Sequence, residues 1–199
     1  MKRAKLGDVY WVKVPNGYKI YQWAYSIPRK GDYIRVFDGL YDSIPTEITA
    51  IVAGPHSYII PFYSSKAYRI GLAHLIGNYP VPAEYPFPEF QISFCRDVTG
   101  IYKIEVMRTN FIPGNAEDAF QVFKVSRMAD LPPIYQKLTL LNSCVTPNWL
   151  LYLFDINFSL SALETFYPGR YGESGEEELR VYTNMVQSAL ACNRVKRES

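Results

Sequence analysis

Residues 7–25 read GDVYWVKVPNGYKIYQWAY, two runs of β-branched and aromatic residues separated by Pro15, Asn16 and Gly17. Gly7 and Asp8 open the first strand, and Asn-Gly predicts a hairpin because both residues tolerate positive φ. In the return strand Tyr21, Trp23, Tyr25 and Ile27 alternate with Tyr18, Ile20, Gln22 and Ala24. Both sets need cover, which places this strand inside a sandwich or barrel rather than on a solvated sheet. Further strands are expected at YIRVF (33–37), EITAIV (47–52), YII (58–60), QISFC (91–95), YKIEVM (102–107) and AFQVFKV (119–125). The clearest is 102–107, where Tyr102, Ile104 and Val106 alternate with Lys103 and Glu105.

The period changes after about residue 130. Ile134, Leu138, Leu141 and Val145 fall at helical spacing after Pro132-Pro133. Thr146-Pro147 can start a second helix carrying Trp149, Leu150, Leu153 and Phe154. Ser161 with Glu164, and Ser174 with Glu177, fit capping boxes, the latter opening a last helix over 175–195 with acids in its first turn and bases in its last. Strands followed by helices predict an α+β chain. An N-terminal antiparallel β-sheet or partly closed barrel spans 1–126, and a helical region over 127–199 packs on it within one compact unit.

Residues 76–90, IGNYPVPAEYPFPEF, join the strands differently. Pro80, Pro82, Pro86 and Pro88 forbid a helix and disfavour a central strand, so the segment runs extended. Its spacing is not that of a P-x-x-P ligand, and it is rich in rings. It is expected to be an ordered strap packed on the body, with Glu84 and Glu89 on its outer side.

The chain has 199 residues, 48 % hydrophobic and 16 % aromatic, with 17 Tyr, enough to build its own core. A net charge of +2, evenly distributed between the halves, argues against a polyanion binder and hence against a nucleic-acid partner. Cys95, Cys144 and Cys192 are odd in number and widely spaced, which argues against a disulfide framework or zinc site. The basic N-terminus is interrupted by Gly7 and Asp8 before any long apolar run, and residues 138–154 are too polar for a membrane span. A cytoplasmic protein without a membrane partner is expected.

Catalytic signatures are sparse. His56 and His74 are the only histidines, and neither lies in a metal-binding motif. Gly172, Ser174 and Gly175 miss the spacing of a nucleophile elbow, and no glycine-rich phosphate loop occurs, so no cofactor is implied. Acids beside rings stand out instead: Tyr41 and Asp42 in DGLYDSIPTE, Tyr85 and Glu89 in the strap. Tyrosine offers broad contact area at low entropic cost, and flanking carboxylates steer a basic partner.

The run of GDVYWVKVPNGYKIYQWAY, YIRVFDGLYD, YIIPFYSSKAYRIG, IGNYPVPAEYPFPEFQISF and YKIEV resembles the immunity protein 26 family of bacterial polymorphic-toxin systems over roughly residues 7–108. The I-G-x-x-P-x-P strap is its most specific part. The resemblance implies a protein that binds and neutralises a cognate toxin domain by stoichiometric occlusion, without catalysis, and Tyr41, Asp42, Tyr85 and Glu89 are the expected contacts. The enzymatic alternative is a hydrolase of ester or phosphotriester type using His56 or His74 with carboxylates.

Overall fold

A computed structural model describes residues 4–28, 30–96, 102–109, 121–140 and positions 150, 153 and 154. Two antiparallel sheets dominate them. The first contains β1 (Asp8–Val14), β2 (Gly17–Ile27), β3 (Gly31–Phe37), β4 (His56–Pro61) and β5 (His74–Asn78) in the order β4-β3-β2-β1-β5. The second orders β6 (Phe90–Arg96), β7 (Tyr102–Arg108) and β8 (Gln121–Val125) sequentially. Two short helices, α1 (Ile48–Ala53) and α2 (Ser64–Arg69), flank β4 in sequence.

The predicted hairpin forms, with Val14 opposite Gly17, so the two turn residues are Pro15 and Asn16 rather than Asn-Gly. Proline at the first turn position cannot take positive φ, which rules out the primed turns that Asn-Gly favours. Gly17 instead opens β2 at φ +153°, where a Cβ would meet the Tyr41 carbonyl oxygen at 2.6 Å. That close approach lets Tyr18 and Tyr41 exchange backbone hydrogen bonds of 2.7 and 2.9 Å.

β2 is covered on both faces, as its composition predicts. On one face Tyr10, Val12, Tyr21, Ile34, Val36, Tyr58 and Ile60 pack with Ala67 of α2 and with Leu150, Leu153 and Phe154. On the other, Val9, Ile20 and Phe37 meet Ile48 and Val52 of α1. Further along that face, Ala24, Tyr25, Tyr33 and Ile59 meet Leu140, Val81 and Phe87. Burying one such side chain fully contributes about 1.5–3 kcal/mol.

The expected facing within β2 changes part-way along. A bulge between Trp23 and Tyr25 shifts the register against β3, so Tyr25 and Ile27 pack with Ala24 instead of with Tyr21 and Trp23. EITAIV is also not a strand. Ile48 and Val52, four residues apart, are the buried residues of α1, whereas strict alternation would have buried Ala50 between them. β5 and α2 carry no clear periodic signal, because one lies at the root of the prolyl strap and the other is a six-residue helix of mostly polar and small residues.

Beyond residue 126 the expected first helix is replaced, in its described part, by turns through 133–137 that lead to an isolated parallel bridge between Ile59 and Leu140. The Ile59 N–H donates to Thr139 O and the Ile92 N–H to Leu140 O, each at 2.8 Å, so two consecutive carbonyls tie the two sheets together. Leu138 packs with the second sheet, while Leu140 is fully buried against the first. Of the second expected helix only Leu150, Leu153 and Phe154 lie among the described residues, and all three are buried on helical backbone. The predicted helices around Ser161, Ser174 and 175–195, together with Cys144 and Cys192, lie outside the described residues.

Candidate interaction surface

The strap is anchored mainly through its carbonyls, since its prolines lack N–H groups. Gly7 sits at φ +87°, where a Cβ would come within 2.7 Å of Tyr79 O, and its own carbonyl accepts from the Tyr79 N–H at 2.9 Å. Gln22 Nε2 donates to Tyr79 O, and the Tyr25 hydroxyl to Tyr85 O, both at 2.8 Å. Phe87 meets Tyr25 and Tyr33 edge-on, with ring centres 5.3 and 4.9 Å apart. At the far end Thr109 donates from Oγ1 to Pro88 O and from its backbone N–H to Glu89 O, at 2.7 and 2.8 Å. The ordered strap expected from the sequence is therefore present, with Glu84 and Glu89 exposed and Tyr85 half-buried.

Beneath Tyr85 lies Arg35, 0 % exposed. Its Nε donates to His56 Nδ1 (3.3 Å), Nη1 to Gln22 Oε1 (3.2 Å) and Val52 O (3.4 Å), and Nη2 to Gly54 O (3.1 Å). Among the described residues no carboxylate lies within ion-pair distance of it. Two other sources offset the buried charge. Val52 and Gly54 supply carbonyls from the C-terminal end of α1, which carries no basic residue of its own in its last turn. The rings of Tyr85 and Phe37 lie 4.4 and 5.2 Å from the guanidinium carbon. One side chain thus joins β3, α1, His56 and the strap.

Because arginine only donates, the His56 Nδ1 is the acceptor, leaving Nε2–H to donate to Thr139 Oγ1 at 3.1 Å. Burial, reinforced by Arg35, lowers the His56 pKa to about 4, so the ring is neutral near pH 7. His74 stacks flat on Trp11 with ring centres 4.0 Å apart. The two histidines sit on β4 and β5, opposite edges of the first sheet. Four strand spacings of about 4.8 Å separate them, too far for a shared metal ion. Among the described residues no group of three or more His, Cys, Asp or Glu is placed to hold one.

Tyr41 lies in the loop after β3, packed against the core formed by α1, with its hydroxyl donating to Asp38 O at 3.2 Å. Asp42 beside it is exposed. Ser57 Oγ donates to Asp38 Oδ1, and the buried Lys19 donates from Nζ to Gly39 O at 2.9 Å. Burial, partly offset by Asp38, lowers the Lys19 pKa to about 8. The pairs Tyr41–Asp42 and Tyr85–Glu89 belong to structures covering the same sheet face, yet no hydrogen bond or ring contact joins them among the described residues.

Arg35 is not among the site residues expected from the sequence. The available signal was its alternation with Tyr33 and Phe37, which places a cation on a strand face otherwise made of rings. No family model, curated protein or solved structure matches this chain. Among the described residues no helix is long and apolar enough to cross a membrane.

Proposed function

We propose that this chain is a cytoplasmic immunity protein that binds a cognate toxin domain and neutralises it by stoichiometric occlusion. The observation that carries this reading is the fixed strap, whose exposed Glu84 and Glu89 stand on a segment held at both ends and in the middle by the body of the fold. A surface that is already ordered loses little conformational entropy on binding, so its contacts yield affinity efficiently. Carboxylates at its rim accelerate encounter with a basic patch. Tyr41 and Asp42 contribute a second acidic, aromatic segment above the same sheet face.

Co-expression with the toxin domain encoded beside it tests the reading, the expected result being restored growth and a one-to-one complex. Reversing two exposed charges, Asp42→Lys with Glu89→Lys, is expected to weaken that complex at least about tenfold without moving the thermal midpoint. A folded chain that neither binds nor protects would refute neutralisation of that toxin. Unchanged affinity in the double variant would refute the contact assignment.

A further inference from the structure

At the hairpin end of the sheet face that carries α1, the rings are only half-buried. Trp11, Tyr18, Tyr41 and His74 all retain solvent access there. Trp11, backed by His74, meets Tyr18 edge-on at 5.5 Å, and Tyr18 is hydrogen-bonded through its backbone to Tyr41. The loop containing Tyr41 adds Ile44, 41 % exposed, and the exposed carboxylates of Asp38, Asp42 and Glu47. Lys13, the exposed cation on the neighbouring strand, holds its Nζ 4.2 Å from the centre of the Tyr18 ring. The molecule thus already seats one cation on this group of rings.

We infer that this end of the sheet is a docking surface for a protein partner that presents an arginine side chain. The inference rests on the neutralisation reading for its partner class and adds the chemistry of the contact. A guanidinium stacks on aromatic faces and pairs with a carboxylate through its planar fork, whereas an ammonium lacks the planar geometry. Half-buried rings beside exposed carboxylates meet both requirements. The same carboxylates repel a phosphate backbone, which makes nucleic acid an unsuitable occupant.

The test is an NMR titration of the full chain with N-acetyl-arginine amide, using N-acetyl-lysine amide as the control. The expected result is a saturable shift of the Trp11 indole N–H, at least about threefold tighter for the arginine probe. The Asp42→Asn, Glu47→Gln double variant, altered only at exposed positions, is expected to lose about threefold in arginine affinity and keep its spectrum elsewhere. Equal response to both probes, no shift at Trp11, or shifts confined to Tyr85 in the strap would overturn the inference. Those results alongside intact neutralisation would place the toxin contact elsewhere. Arginine selectivity without neutralisation would support the surface and remove only the toxin reading.

Discussion

Arg35 and His56 form a linked pair whose energetics can be tested one residue at a time. Lysine at position 35 cannot reproduce four hydrogen bonds spread over a planar fork, so Arg35→Lys is expected to cost about 2–3 kcal/mol, read as a lower urea midpoint with unchanged slope. An unchanged midpoint would mean that the carbonyls of α1 and the ring of Tyr85 do not depend on the guanidinium. His56 adds a pH dependence. Its folded pKa of about 4 lies below the unfolded value near 6.5, so between these limits the unfolded chain binds the extra proton. The stability is fully present above pH 6.5 and is lost as pH falls toward 4. Replacing His56 with Gln should therefore shrink the stability difference between pH 7 and 4.5 by about 2 kcal/mol in paired urea titrations. If the wild type and the variant lose stability equally over that interval, the neutral, buried imidazole is not the group responsible.

The strap is the element on which the surface depends, and its root is the most sensitive point. A methyl group at Gly7 would face both an unfavourable positive φ and the Tyr79 carbonyl oxygen. Gly7→Ala is expected to cost about 2 kcal/mol and to speed hydrogen exchange at the Tyr79 amide, which bonds to Gly7 O. Unaltered exchange would show that the close approach of Gly7 to Tyr79 does not control opening at the root of the strap. The strap itself was readable because proline excludes alternatives by covalent geometry, independent of what packs nearby. α1 was not readable: six residues cannot distinguish a period of 3.6 from one of 2 when five of them are Ile, Val or Ala. The bulge at Trp23/Tyr25 was equally hidden, since it arises from pairing with β3 and leaves no mark on β2 itself.

At the scale of the whole molecule, residues 139 and 140 connect the two sheets, and Leu140 is the buried side chain at the junction. Leu140→Ala is expected to cost about 3 kcal/mol through a cavity facing Ile59 and Tyr33, measured by urea unfolding followed by fluorescence and far-UV circular dichroism. A loss below about 1 kcal/mol would mean that the backbone bonds alone hold the sheets together. Local pattern alone specifies the N-terminal hairpin, the two-sided burial of β2, the strands of the second sheet and an ordered, non-helical strap, whose extended course a turn from Pro82 to Tyr85 interrupts. These follow from alternation and from proline, which act over a few residues and are written locally. Long-range packing set the rest: Arg35 is buried among carbonyls and rings with no carboxylate at ion-pair distance among the described residues, the two histidines stand at opposite edges of the first sheet, and residues 139 and 140 bridge two sheets. Each of these depends on which distant segments meet, and the energies that choose among such pairings are summed over the fold.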